Sequence, residues 1–410
     1  MRAPDFLPRG FRAAFPFLVL PLAAAAAEFS LTVPPAATDR AVQVVRFTLP
    51  KDLKPPVVLR QGERRIPVQV APDRTAVFIV ERQAAGAAQS YRLAPAAGET
   101  EPAAAGVQVA ALPGQMRITV GGTEAVVYRM DQEDLPRPDI KPEYKRAGYL
   151  HPIRTAAGTV VSDDYPVQHV HHHGIWTAWV RTAFQGRAPD FWNMGQKRGT
   201  SEFVGVDWTW SGPVHGGIVT RQRMVDLSVP APVPVLNETW ELTAYAVPAV
   251  AGAPALRIFD LLVTQTSATS DPLVLPVYHY GGLGYRGRGE WFGADKGFFL
   301  TSEGETDRVK ANGKAMRWVH HYGAVAGGVA GVTILGHPGN PRAPQPVRVH
   351  PREPYVSFTP QQNEEFRVAP GQPFLARYRF VAFDGPPDRA LLEALWQGFA
   401  APGNLTMETK

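Results

Sequence analysis

The chain has 410 residues, a formal net charge of +5, 45% hydrophobic and 19% charged residues, 38 glycines, 40 prolines and no cysteine. That is the balance of a folded chain rich in turns and short strands, long enough for two domains or one large β domain, and not of a disordered one. The missing cysteines exclude disulfides, a thiolate nucleophile and Cys-ligated metals, and no Lys/Arg-rich block with interleaved aromatics points to nucleic acid as a partner.

Residues 1–27 have the layout of a secretory signal peptide. MRAPDFLPRGFR supplies three arginines, AAFPFLVLPLAA is a short apolar core, and AAAAAE offers small residues for cleavage near Ala27. The core is short and broken by proline, which disfavours the alternative of an uncleaved anchor. No later apolar run reaches spanning length, so the mature protein is expected to be soluble and to have no membrane partner. Export without disulfides fits a bacterial periplasm or the cell exterior.

From residue 28 to about 112, EFSLTVPPAATDRAVQVVRFTLP and PPVVLRQGERRIPVQVAPDRTAVFIVERQ alternate β-branched with polar residues and are broken by Pro, Gly and Asp. This predicts a small antiparallel β-sandwich. The Ala/Pro/Gly-rich AGAAQSYRLAPAAGETEPAAAGVQ reads as its boundary. From residue 115 to about 400 strand patterns continue, including GGIVTRQRMVDLSV, LNETWELTAYAV, ALRIFDLLVTQTS and FLARYRFVAFDG. Only DRALLEALWQGFA has helical spacing, starting at Asp388 with apolar Leu391, Leu392, Leu395 and Phe399. The expected fold class is all-β, with a large multi-stranded sandwich as the second domain.

The stretch DDYPVQHVHHHGIW places four of the 11 histidines within five positions, His169, His171, His172 and His173. In an extended segment His169, His171 and His173 share one face and His172 points away. Residues i and i+2 lie about 6–7 Å apart along a strand, so two imidazoles can meet on one ion, while three need local distortion. Zn, Fe and Cu are the candidate divalent metals, with His169 and His171 as first ligands and Asp163, Asp164, His279 or His337 as further ones. Without metal the same imidazoles serve proton transfer or hydrogen bonding. Trp176, Trp192 and Asp190 follow closely, a combination suited to sugar rings, although most tryptophans in such a chain fill its core. In NETWE, Glu238 and Trp240 share one face and Glu241 takes the other. GVTIL runs straight into Gly336-His337-Pro338-Gly339-Asn340-Pro341, which suits a cleft-lining histidine.

These segments together, with YLHPIRT, DFWN, HYGGLGYRG and PGQPFLARYRFVAFDG, resemble the bacterial PmoA-like family of unknown function over about residues 115–385. His169, His171 and His172 match the family's histidine motif; His173 stands where it has Arg, Val170 where it has Pro, and Gly336 where its late motif has Asp. The family's name evokes a membrane oxygenase subunit with several spanning helices, which this chain lacks after its first 27 residues. The resemblance implies a secreted β-sandwich similar to the galactose-mutarotase-type supersandwich, a fold that works on sugars with His and carboxylates.

The leading expectation is an exported protein acting on a carbohydrate or sugar derivative by hydrolysis, elimination or epimerisation. His169, His171, His172 and His337 are its candidate catalytic groups. Arg154, Trp176, Asp190, Trp192, His279, Tyr280, Arg286 and Asn340 are its candidate substrate contacts. A non-catalytic carbohydrate-binding protein and a His-ligated metal-binding or redox protein are the alternatives.

Overall fold

A period of two decides which side chains face inward. In Phe29–Val33 every second residue, Phe29, Leu31 and Val33, is buried, and in Gln115–Val120 the buried set is Met116, Ile118 and Val120. The computed structural model describes residues 28–96, 106–130 and 135–409, so the signal-like residues 1–27 lie outside the described residues.

The leading unit is a small sandwich. One sheet runs in the order Thr406–Thr409, Phe29–Val33, Gln89–Pro95, Val57–Gln61, Arg64–Ile66, and the other in the order Arg40–Thr48, Thr75–Gln83, Val68–Val70. Leu31, Leu59, Phe78 and Leu93 are among the side chains that close the space between them. Two points correct the sequence reading. Gln89–Pro95, inside the expected boundary segment, is a strand with Tyr91 and Leu93 buried. The sheet is also completed by the last strand of the chain, paired antiparallel to the first.

The larger unit packs a nine-stranded sheet on an eight-stranded one, both antiparallel at the pairings that matter below. The all-β reading holds. Between the sheets lie Trp176, Trp179, Trp192, Trp240, Tyr128 and Phe380. A buried Glu238 also faces this interior and accepts hydrogen bonds from Thr177 Oγ1 at 2.5 Å, Gln265 Nε2 at 2.6 Å and Gln222 Nε2. A charge-bearing group survives in such a core only when its lone pairs are filled in this way.

The helix Arg389–Ala400 forms where predicted. Asp388 caps it, accepting from the backbone of Ala390 at 2.8 Å and Leu391 at 3.3 Å. Its apolar stripe, Leu391, Leu392, Leu395 and Phe399, wedges between Ala41 and Val42 of the small sandwich and Val381 and Phe383 of the eight-stranded sheet. Each such side chain contributes about 1.5–3 kcal/mol when fully buried. The helix thereby fixes the two units against each other. Among the described residues no helix is long and apolar enough to cross a membrane.

Candidate functional site

The strands Tyr149–Ile153, Ile175–Ala178, Gly282–Arg286 and Tyr355–Phe358 are neighbours in the nine-stranded sheet, and the histidine segment is the loop that enters Ile175–Ala178. This loop is not extended. His169 N donates to Pro166 O at 3.0 Å and His172 N to His169 O at 2.9 Å, so two turns follow each other. The expected alternation of faces is therefore overturned. His169, His171 and His172 gather on one side, with ring centroids 4.6–5.6 Å apart, and His173 turns inward. Gly174 ends the loop because a Cβ there would run into the Leu150 carbonyl oxygen.

His169, His171 and His172 line a cavity of about 340 Å³ together with Asn193, Tyr280 and a group supplied by a distant segment, Arg348, His350, Glu353 and Tyr355. Arg286 forms its buried support: Nη1 donates to Glu353 Oε2 at 2.5 Å and lies 3.4 Å from His172 Nδ1. His169 Nδ1 stands 3.6 Å from the same Glu353 oxygen. Burial alone would raise the Glu353 carboxyl, but His169 and the Arg286 guanidinium outweigh it and hold it at about 2.

The other imidazoles are stripped of water. Burial, then the neighbouring histidines, lower His171 to about 3, and burial followed by His171 and Arg286 takes His172 well below its ordinary value. His350 falls to about 4 through burial and Arg348. Its Nδ1 accepts from the backbone of Arg352 at 3.2 Å and Glu353 at 2.9 Å, which leaves Nε2 as the proton-bearing nitrogen. At neutral pH these three rings are neutral hydrogen-bonding groups.

His173 belongs to a separate buried cluster. Its Nδ1 lies 2.6 Å from Asp164 Oδ1, its ring stacks on Tyr149 at 4.1 Å, and Tyr149 donates to Asp164 Oδ2 at 3.1 Å. Burial raises Asp164 to about 6.

Of the other expected site residues, Tyr280 lines the cavity and His279 is exposed beside it, 4.9 Å between rings. Trp176 and Trp192 are not open stacking faces. Both are fully buried and support His172 from behind, at 5.1 and 6.1 Å. Asp190 is also buried; it accepts from the backbone of Trp192 and Asn193 and from Asn193 Nδ2 at 2.7 Å, so it acts by orienting Asn193. Arg154 pairs with Glu124 at 2.9 Å and does not line the cavity. His337 and Asn340 are elsewhere: Asn340 clamps the backbone of Arg377 from both sides, and His337 stacks edge-on to Phe399 at 5.3 Å. Among the described residues no group of three or more His, Asp or Glu side chains is placed to hold a metal ion.

Asn193, Arg348, His350, Glu353 and Tyr355 were missed. The segment VRVHPREPY held the available signal: a strand ending in His-Pro, then a charged turn, then an aromatic residue entering the next strand.

The profile of a family of unknown function, DUF6807, matches residues 115–397, most of the chain and nearly all of the larger sandwich. The chain belongs to this family. No curated protein matches it. The DUF6807 region contains every residue of the histidine cavity and excludes every strand of the small leading sandwich.

Proposed function

We propose that this DUF6807 chain is an exported, PmoA-like carbohydrate-active protein whose histidine cavity removes a proton from a carboxylate-bearing sugar, leading to elimination or epimerisation. The observation that carries this reading is the row Arg286–Glu353–His169 opening beside Arg348. Glu353, ionised and anchored by Arg286, orients His169 and stabilises the imidazolium formed when Nε2 accepts a proton. With Arg286 and Glu353 paired, Arg348 is left without an ion pair to any described residue, and a guanidinium in that position suits a substrate carboxylate. Neutral His171, His172 and His350, with Asn193 and Tyr280, supply donors and acceptors for hydroxyls.

Glu353 is the one carboxylate among the described lining residues and is already committed, so the cavity favours proton abstraction over hydrolysis by a carboxylate pair. The test is turnover of uronate-containing oligosaccharides, followed by ultraviolet absorbance of the unsaturated product and by NMR for inverted sugars. Wild type should turn over. His169→Ala should lose about 10²–10⁴-fold, the usual worth of a positioned proton-transfer group, and Glu353→Gln should lose less. Binding without turnover in every arm would overturn the enzymatic reading and leave a binding protein. Metal analysis of untagged protein belongs to the same experiment: near-stoichiometric Zn, Fe or Cu that disappears in His171→Ala would replace proton abstraction with metal-assisted chemistry.

A further inference from the structure

The outer face of the eight-stranded sheet carries a second concavity that the histidine reading does not use. Two cavities of about 600 and 350 Å³ share Arg46, Glu241 and Thr243 and so form one elongated groove. Its floor is the polar face of Val233–Tyr245, whose alternate residues, Glu238 and Trp240, point into the core instead. One wall is the small sandwich, through Arg46 and the 68–72 segment; the far end is closed by Phe399 of the helix and by His337. Gln69 Oε1 accepts the backbone N–H groups of Val214 at 3.1 Å and His215 at 3.0 Å, which pins wall to floor.

We propose that this groove binds a chain of acidic pyranose sugars, independently of the histidine cavity. Three features point to that ligand. Trp208 is 58% exposed, whereas six of the nine tryptophans are fully buried, and it lines the groove beside Trp210. An indole kept in water at the floor of a cleft offers a flat apolar face of the kind that covers the C–H face of a sugar ring. Second, the polar groups are of mixed kind and uncommitted. Glu241, Arg46 and Arg377 make no hydrogen bond or ion pair through their side chains with a described residue. Trp210 Nε1 donates to His215 Nδ1 at 2.8 Å, so the His215 proton sits on Nε2 as a further donor. Third, the charges lean positive. Arg379 and Asp260 neutralise each other in a two-bond pair at 2.7 and 2.9 Å, which leaves Arg46 and Arg377 against Glu241. An elongated floor that carries two cations suits repeating carboxylates on a chain better than a single small anion.

The experiment is titration of the whole protein with hexasaccharides of galacturonate, mannuronate and glucuronate, and with a neutral glucose hexasaccharide, read by calorimetry and tryptophan fluorescence. At least one acidic hexasaccharide should bind and perturb the fluorescence. Trp208→Ala should weaken that binding about tenfold or more, Arg46→Ala combined with Arg377→Ala should weaken it and flatten its salt dependence, and His169→Ala should leave it unchanged. Binding of no acidic chain, binding indifferent to Trp208 and the two arginines, or equal binding of the neutral chain would overturn the proposal. Loss of binding in His169→Ala alone would place the ligand in the histidine cavity and overturn it as well; loss of turnover with groove binding intact would bear on the catalytic reading only.

Discussion

In the histidine cavity Arg286 is buried against Glu353 and His171 and His172 are desolvated, while on the outer sheet face the Arg46 and Arg377 side chains stand in solvent with no hydrogen-bond or ion-pair partner among the described residues. The two regions use the same residue types in opposite states. A buried polar group must have its partners specified, so the charged row of the cavity is assembled from distant segments, around residues 169, 286 and 353, and any lost partner leaves a charge stranded. The groove's floor is set by strand alternation, and Trp208, Arg46 and Arg377, which the groove presents to solvent, make few contacts that the fold depends on. One region is therefore expensive to alter and the other cheap.

Four comparisons test that contrast, from the largest effect down. Arg286→Ala strands the Glu353 carboxylate and should cost about 3–5 kcal/mol in urea denaturation; a cost below about 1 kcal/mol would mean Glu353 finds water and the cavity is open. Trp192→Ala should cost a comparable 3–5 kcal/mol, against about 0.5 kcal/mol or less for Trp208→Ala, both read as shifts in denaturation midpoint. Equal costs would erase the distinction between core and groove tryptophans.

Acid should destabilise the cavity. His171 and His350 have folded values of about 3 and 4, below the ordinary 6.5, so as pH falls through 6.5 the unfolded chain takes protons that the folded chain refuses, and stability drops down to those folded values. Glu353, held at about 2 against an ordinary 4.5, contributes stability that is full above 4.5 and is lost as pH falls toward 2. Asp164, raised to about 6, works the other way: between about 6 and its ordinary 3.8 the folded chain binds the extra proton, which offsets part of the loss. Melting temperatures at pH 7.5, 5.5 and 4.5 should decline, and His171→Gln should flatten the decline. A modest effect is expected where the helix joins the two sandwiches: Asp388→Ala removes its cap and should cost about 1 kcal/mol in the same denaturation assay.

What could be read from the sequence follows the same division. Local rules sufficed for the helix, because Asp388 and the spacing of Leu391, Leu392, Leu395 and Phe399 are self-contained, and for the split of Glu238 and Glu241 between faces. They failed at the histidine loop, where consecutive turns replaced the strand on which the alternation argument stood. Glu353 was out of reach because its value to the site depends on Arg286, 67 positions earlier. Trp176 and Trp192 misled for a related reason: adjacency to polar residues in the chain says nothing about which sheet face lies behind them.

The pairing of Thr406–Thr409 with Phe29–Val33 has a consequence for how the molecule comes into being. During synthesis the strand Thr406–Thr409 is made only after the larger unit, so the sheet of the small sandwich stays open along Phe29–Val33 until the whole of that unit has been produced. Two strands separated by the whole of the larger unit are thus stitched side by side, and the protein closes like a clasp whose two halves are manufactured far apart in time.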